Sequence, residues 1–357
     1  MKKILKIFLY NFFVLFFIYL FLFSTNEAYA NTYKIKNIEI SEEYNTNFNK
    51  DEVINRAFIK AYKILIKKIT ISKNHKLLKE QNLKMIKSFV ESFSVLNEKF
   101  ENNKYYGTFE INFNKKNIVS YLRNKNIFHS RMEEKDILFI PVFINLDDDS
   151  LLLFDENPFY KNWIDVEENY FLLKYILQSE DLDDYKLIKD RIDQIENYDF
   201  NEIISKYELN ENFIIFIVFQ DKENFKTFSK FNVNQIKSNF KLEFKKFNLN
   251  EEDKVKNLIQ KMKIRYDDEW KKVNLINSSI KLNIQLDLNS KNVAFVEKIE
   301  KILNEIEIIE NYYLSSFDSE ITSFSILTNS TPDKLLNEFE KYNVKISVKN
   351  NIWILNE

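Results

Sequence analysis

The chain lacks cysteine altogether and holds only two histidines among its 357 residues. Without a sulfur atom there can be no disulfide, no thiolate nucleophile, no iron–sulfur cluster and no lipid anchor on cysteine. Two histidines are also too few for a zinc site built from three imidazoles. The sequence therefore excludes thiol chemistry and three-histidine zinc enzymes.

Glycine and proline are nearly as scarce, with one glycine, Gly107, and three prolines. A single glycine excludes the dinucleotide-binding fingerprint, the P-loop and the nucleophile elbow, since each needs several glycines. Codon usage in an AT-rich genome accounts for much of this skew. The one glycine and the few alanines that remain point to positions where packing or processing needs a small residue.

Residues 1–30 have the pattern of a secretory signal peptide. Three lysines precede an apolar run at residues 7–23, and Ala28 and Ala30 occupy the small-residue positions of a cleavage site. We expect cleavage after Ala30 and a periplasmic protein. An uncleaved leader would instead anchor the protein in the inner membrane. Cleavage leaves a net charge of −4, which argues against nucleic acid as a partner.

Breaks in the residue pattern predict three small mixed α/β domains, at residues 31–130, 131–276 and 278–357. The first opens with a strand and continues into an amphipathic helix. Ala57 and Ala61 lie one turn apart on this helix, and this spacing predicts that the helix packs closely on a sheet.

Two further strands of the first domain are expected near residues 93–100 and 105–113. Asn102 and Asn103 lie between them, and asparagine adopts positive φ more readily than other non-glycine residues, so we predict a tight turn there. Gly107 falls inside the second strand. We expect a bulge or a close backbone approach at Gly107, with a ligand contact as the alternative.

The second domain contains two nearly continuous apolar segments, residues 137–144 and 213–219. Unbroken apolarity is typical of strands buried on both faces, so we predict an α/β sheet covered by helices. Pro141 lies inside the first of these strands. Because proline lacks an amide donor, it predicts an edge strand or a bulge.

The third domain has the order strand, helix, strand, strand, helix, and ends in a hairpin that turns at Asn350 and Asn351. A βαββαβ order of this size predicts a ferredoxin-like sheet with both helices on one face. The fold class expected for the whole chain is therefore a signal peptide followed by three α+β or α/β domains.

Several motifs resemble those of a known family. They are Asn55, Ala57 and Ala61 in the first helix, the Phe113-Asn114 and Tyr121-Leu122-Arg123 signatures, and the segment from Asn157 to Trp163. Together they resemble the bacterial exported family described as domain of unknown function 2066, over nearly the whole mature chain. The middle domain is similar to the N-terminal domain of the periplasmic protein TolB. The resemblance implies export and fold but no activity, and this chain is poorer in alanine, arginine and glycine than that family.

The segment from Asn145 to Trp163 is the candidate ligand surface. It joins an acidic cluster to aromatic residues just beyond a strand end, where open α/β sheets place binding sites: Asp147, Asp148, Asp149, Phe159, Tyr160 and Trp163. Aromatic rings beside carboxylates suit sugars, and oxygen ligands suit Ca²⁺. However, three consecutive aspartates cannot converge on one ion. The alternative is an acidic loop followed by structural aromatic packing.

No catalytic constellation stands out. Adjacent carboxylates such as Asp183-Asp184 and Asp267-Asp268 point to different sides of a helix, and neither His75 nor His129 lies in a triad-like pattern. We therefore expect a protein that is not an enzyme and holds no cofactor or metal.

We expect the protein to bind another envelope protein through sheet edges or aromatic patches. The alternative is a module for small ligands or glycans, such as peptidoglycan fragments, that uses the segment from Asp147 to Trp163.

Overall fold

The computed structural model describes residues 32–356 with short gaps, at 79–80, 167, 223, 235, 246–248, 250, 277–280 and 350–351. The expected signal peptide with Ala28 and Ala30, and the hairpin turn at Asn350 and Asn351, lie outside the described residues. The described part is a mixed α+β structure with ten α-helices and sixteen strands. None of its helices combines the length and apolarity that crossing a bilayer requires.

The N-terminal unit, residues 32–124, is a three-stranded antiparallel sheet covered by helices. Its elements are β1 (Thr32–Glu43), α1 (Lys50–Ile69), α2 (His75–Leu78), α3 (Leu83–Phe89), β2 (Val90–Glu101), β3 (Lys104–Asn114) and α4 (Lys115–Asn124). The strand order is β1-β3-β2, so β3 lies in the middle. Asn49 begins α1 by accepting a hydrogen bond from the Asp51 amide. Ala57 and Ala61 are fully buried in the core that α1 shares with the sheet, as expected.

In several turns of this chain, asparagine occupies positions of positive φ that glycine commonly occupies in other proteins. The β2–β3 turn has Asn102 and Asn103 at φ 51° and 56°, which are the two positive angles of a tight hairpin turn. Asn37, at φ 56°, lies at a register shift in β1. The prediction of a turn at Asn102-Asn103 is confirmed.

Gly107 is needed because two aromatic side chains close over its backbone. A Cβ atom there would lie 2.6 Å from the Tyr105 hydroxyl oxygen and 2.8 Å from the Phe109 ring. Gly107 pairs regularly with Ile40 in β1 and Glu98 in β2, so the bulges lie elsewhere in those strands. The expected bulge is not at Gly107, and the three atoms that approach most closely belong to side chains, whereas the expectation was a backbone approach.

The central unit, residues 135–273, is built on a six-stranded sheet. Its elements are β5 (Lys135–Asn145), β6 (Ser150–Leu152), α5 (Pro158–Trp163), β7 (Leu173–Leu177), α6 (Leu182–Lys189), α7 (Asn201–Ile204), β8 (Asn212–Asp221), β9 (Asn224–Val233), β10 (Ile236–Lys245) and α8 (Glu252–Val273); β4 (His129–Ser130) precedes it. The order is β10-β9-β8-β5-β6, and β7 also pairs with β5. Alternate residues of β5 enter two separate cores, one with Phe139 beside α5 and α8, the other with Ile140 beside α6 and α7. The predicted burial of β5 on both faces is confirmed.

Pro141 lies in an interior strand, so the predicted edge position is wrong. It pairs with Phe216 of β8 on one side. On the other side, β7 pairs with β5 up to Phe139 and β6 begins at Phe143, which leaves Pro141 in the gap between them. The Pro141 carbonyl oxygen on this side accepts a hydrogen bond from the Asn157 side chain. Because the amide and carbonyl of a strand residue share one side, the missing N–H also faces this gap.

The C-terminal unit, residues 282–356, is a five-stranded sheet with two helices. Its elements are β12 (Leu282–Asn289), α9 (Val293–Glu305), β13 (Ile309–Phe317), β14 (Ile321–Thr328), α10 (Pro332–Lys341), β15 (Lys345–Lys349) and β16 (Ile352–Asn356); the short β11 (Leu275–Ile276) precedes them. The strand order is β13-β14-β12-β16-β15. One apolar core contains residues of both helices and of the sheet.

This order differs from a ferredoxin-like sheet at its last hairpin. In the ferredoxin-like order the fourth strand, β15, would pair with β12. Here β16 pairs with β12 in parallel, and β15 moves to the edge. The physical reason is burial, since β16 supplies Trp353 and Leu355 to the core, whereas Val348 of β15 is half exposed.

The three units meet through a short ribbon and polar contacts. β4 pairs with β11, so the chain segments near both expected boundaries lie side by side. Helix α8 reaches the N-terminal unit, where Asp268 accepts hydrogen bonds from the amide and hydroxyl of Ser72, at 2.8 and 2.5 Å. The Lys271 ammonium donates to the Lys67 carbonyl oxygen at 2.5 Å.

Candidate functional site

Two of the three aromatic rings of the candidate ligand surface lie in the protein core. Phe159 and Trp163, both on α5, are fully buried. Trp163 stacks on Phe139 of β5 with ring centroids 3.7 Å apart, and Phe159 packs edge-on against Phe216 of β8. These rings therefore present no face to a ligand at the surface, contrary to the binding interpretation of the sequence.

Tyr160 and Asn157 hold this segment in place. The Tyr160 hydroxyl donates to the Gln178 carbonyl oxygen at 3.0 Å. Asn157 is fully buried, and its side-chain oxygen accepts from the Phe159 amide at 2.9 Å while its amide nitrogen donates to the Pro141 carbonyl oxygen at 3.2 Å. Asn157 thus caps α5 and also supplies the hydrogen-bond donor for the Pro141 carbonyl oxygen of β5.

The acidic cluster forms the turn between β5 and β6. Asp147 accepts a hydrogen bond from the Lys222 amide at 2.8 Å. Asp148 accepts from the amide and hydroxyl of Ser150, which lowers the pKa of its carboxyl group. Asp149 sits at φ 55°. The Asp148 carboxylate binds its own turn and the Asp147 carboxylate binds the turn between β8 and β9. Within the described ranges no group of three potential metal ligands occurs.

The adjacent carboxylates divide between different partners. Asp267 is buried, pairs with Lys271 at 2.5 Å and accepts from the Leu172 amide at 2.7 Å, whereas Asp268 binds Ser72. Burial raises the pKa of the Asp267 carboxyl, and the nearby Lys271 opposes this. The two carboxylates face separate units and do not form one acid/base pair.

The second pair is divided in the same way. Asp184 is buried and binds the Gln178 side chain at 2.8 Å and the Lys206 ammonium at 2.6 Å. Asp183 is exposed and contacts Lys186 on the helix surface. Both pairs have structural partners that account for them.

A different surface stands out along β2. In the part of the chain that the structure describes, β2 pairs with β3 alone, so its other backbone edge is open. Four of its apolar side chains are 38 to 55% exposed: Phe93, Val95, Leu96 and Phe100. Every residue from Glu91 to Glu101 is exposed. A twelve-residue edge strand with this much exposed apolar surface is unusual, since natural edge strands are commonly short or charged.

The register explains why these residues are apolar. Phe93, Val95 and Phe100 pair with the buried β3 residues Ile111, Phe109 and Tyr105, so they share the core-facing side of the sheet. Polar residues occupy the opposite side: Ser92, Ser94, Asn97 and Lys99. The helices bury β1 and β3 but leave the β2 part of this side open.

An aromatic cluster lies at the turn end of β2. Phe100 packs on Tyr44 and Tyr105 at centroid distances of 4.8 and 5.2 Å, and Phe48 packs on Tyr105 at 5.2 Å. Tyr44 and Phe100 are half exposed, whereas Tyr105 is fully buried and burial raises its pKa to about 12. We call the exposed residues Tyr44, Phe93, Val95, Leu96 and Phe100 the β2 surface.

The β2 strand itself is acidic. It carries Glu91, Glu98 and Glu101 against a single lysine, Lys99. Glu98 pairs with Lys50 at 2.6 Å, and Glu101 pairs with Lys99. Two of the three carboxylates therefore have cationic partners within the chain, and the strand keeps a net negative charge.

The sequence interpretation missed the contacts between the N-terminal and C-terminal units. Arg123 pairs with Glu310 at 3.0 Å. Arg131, in the connection after β4, pairs with Glu338 at 2.8 Å. Only five arginines occur in the chain, so their scarcity was the one available signal that these positions matter. Arginine suits them because its planar fork binds carboxylates more specifically than lysine does.

Comparison with known proteins adds no family. No protein-family model matches this chain, and no curated protein matches it. The resemblance to domain of unknown function 2066 therefore stays a prediction.

Proposed function

We propose that the protein is an exported, non-enzymatic interaction module of the cell envelope that binds an extended segment of another protein along β2. The observation that carries this proposal is the open, twelve-residue edge of β2 with its exposed apolar side chains. An extended segment that pairs with β2 would satisfy the free backbone groups of that edge. Its alternate side chains would lie beside Phe93, Val95 and Phe100.

The charge of β2 determines which kind of partner segment can pair with it. Two copies of β2 facing each other would bring together two strands that each carry three glutamates and one lysine. Like charges on paired strands destabilise the pairing, so a second copy is disfavoured. A partner segment that places apolar residues beside Phe93, Val95 and Phe100, and lysine or arginine beside Glu98 and Glu101, complements the strand on both counts.

Support for export comes from the signal pattern of residues 1–30, and support for three domains comes from the separate apolar cores of the three units. The TolB-like description of the central unit belongs to the same proposal. If the leader is cleaved after Ala30, intact mass measurement of the protein from the periplasmic fraction gives a chain that begins at Asn31. A full-length mass would contradict cleavage.

A photo-reactive amino acid at Leu96 tests the surface in living cells. Leu96 is half exposed on β2, and Lys36 on β1 provides a matched control because β1 is the other edge of the same sheet. We expect the photo-reactive group at Leu96 to cross-link one partner protein. The same group at Lys36 should not cross-link that protein. Peptide mapping should place the cross-link in an extended segment that contains lysine or arginine.

Three outcomes would overturn this proposal: equal products from both positions, a cross-link to a second copy of the chain, and a cross-link mapped to an acidic or helical segment. A charge reversal sharpens the test. Glu101→Lys should lower the yield from Leu96, whereas Glu43→Lys at the end of β1 should leave it unchanged.

A further inference from the structure

A cleft of about 460 Å³ separates α4 from the C-terminal unit, away from the β2 surface. Its volume lies within the range of sites that bind small molecules. Both walls carry charged residues, and His129 lies between them: Lys115, Lys116 and Arg123 come from α4, and Glu307 and Glu310 from the C-terminal unit. The cleft is therefore bounded by three parts of the chain that meet only in the folded protein.

His129 is the feature that points to a ligand. Its side chain is only 3% exposed, it lines the cleft, and its Nδ1 atom has no hydrogen-bond partner in the described structure. A buried polar atom without a partner costs free energy, so such atoms are rare unless something binds them. Burial, with a smaller contribution from Lys115, lowers the pKa of His129 to about 4, which keeps the imidazole neutral near pH 7.

Among the charged side chains that line the cleft, the cations outnumber the carboxylates by one. Lys115 pairs with Glu307 at 2.9 Å, and Arg123 pairs with Glu310 at 3.0 Å. Lys116 is exposed and forms no ion pair with any residue that the structure describes. The unbalanced charge is positive, which favours an anionic ligand group.

The remaining lining is partly apolar, with Val119, Ile276, Ile306, Ile309 and Leu327. A site that combines apolar residues with a few polar groups is typical of organic ligands. We propose that this cleft binds a small organic carboxylate. Its carboxylate pairs with Lys116, a polar atom of the same molecule hydrogen-bonds to the imidazole of His129, and its apolar part packs against Val119 and Ile309.

The two histidines allow a direct test by nuclear magnetic resonance. Selective isotope labelling of histidine gives two imidazole signals, from His129 and from His75, which lies elsewhere and serves as the internal reference. The probe is N-acetyl-leucine, which carries a carboxylate, an amide and an apolar side chain. We expect a saturable shift of the His129 signal alone. N-acetyl-leucine amide, which lacks the charge, and inorganic phosphate, which lacks the apolar part, should leave it unchanged.

A lysine variant shows whether the probe binds in this cleft or elsewhere on the protein. Lys116→Gln should weaken N-acetyl-leucine binding about tenfold, the effect of losing roughly 1.4 kcal/mol. Lys237→Gln, on the exposed face of β10, should leave the affinity unchanged. The proposal fails if the His129 signal does not shift at about 10 mM probe, a concentration that would reveal even millimolar affinity. It also fails if the uncharged amide or phosphate shifts that signal as strongly.

Discussion

The segment from Asp147 to Trp163 and the strand β2 both combine aromatic and acidic residues, yet the fold places their rings oppositely. Phe159 and Trp163 lie fully buried beneath α8, whereas Phe93 and Phe100 are half exposed. The difference lies in position within a sheet. α5 packs on strands covered on both faces, whereas β2 is an edge strand that the helices leave largely exposed, with Phe58 of α1 packing edge-on against Phe93. Composition alone does not distinguish a core from a binding surface.

Trp163→Ala should have the largest effect on stability. The result tests whether Trp163 lies in the core, on which the comparison of the two regions depends. Removing a fully buried tryptophan leaves a cavity beside Phe139 and Phe216, and we expect a loss of about 3 to 5 kcal/mol in unfolding free energy. Urea unfolding followed by circular dichroism measures it. A loss below about 1 kcal/mol would place Trp163 on the surface.

Asn157→Ala should cost about 2 to 3 kcal/mol, because it removes a helix cap and leaves the buried Pro141 carbonyl oxygen without its donor. Asn82→Ala is the matched control, since Asn82 caps α3 at an exposed site and accepts from the Met85 amide. Its cost should be about 1 kcal/mol. Equal losses in the two variants would show that the Pro141 contact contributes nothing.

Gly107→Ala should cost about 1 to 3 kcal/mol, because the added methyl group displaces the Tyr105 and Phe109 side chains. Tyr105 supports Phe100, so the same variant should disturb the β2 surface. Thermal unfolding measures the first effect, and the cross-linking yield from Leu96 measures the second. Unchanged stability would contradict the close packing over Gly107.

Phe100→Ala should have the smallest effect on stability, below about 1 kcal/mol, because more than half of its side chain is exposed. The same variant should lower partner cross-linking from Leu96. Trp163→Ala should differ in stability, with a large loss, because Trp163 packs in the core. A large loss of stability together with unchanged cross-linking would remove the functional distinction between the two regions.

The sequence was sufficient for features that depend on local pattern. The unbroken apolarity of β5 and β8 predicted strands buried on both faces, the spacing of Ala57 and Ala61 predicted close packing, and Asn102-Asn103 predicted a turn. Each of these follows from backbone sterics or side-chain periodicity over a few residues.

Features that depend on strand order could not be read in this way. Pro141 indicated an edge strand or a bulge, but β5 pairs regularly with β8, and the gap between β6 and β7 accommodates the missing amide in the sheet interior. The insertion of β16 beside β12 and the open edge of β2 depend on which distant strands pair. The sequence left open whether Trp163 packs in the core or binds a ligand, because the helix α8 that covers it lies about a hundred residues further along the chain.

Amide hydrogen exchange tests the central claim, that β2 receives a partner strand, most directly. The cross-linked segment of the partner is prepared as a synthetic peptide and added to the protein. We predict that exchange slows in β2 between Asn97 and Glu101, where its pairing with β3 is regular, and stays unchanged in β1. Unchanged exchange in β2 with bound peptide, or protection of β1 instead, would contradict the account.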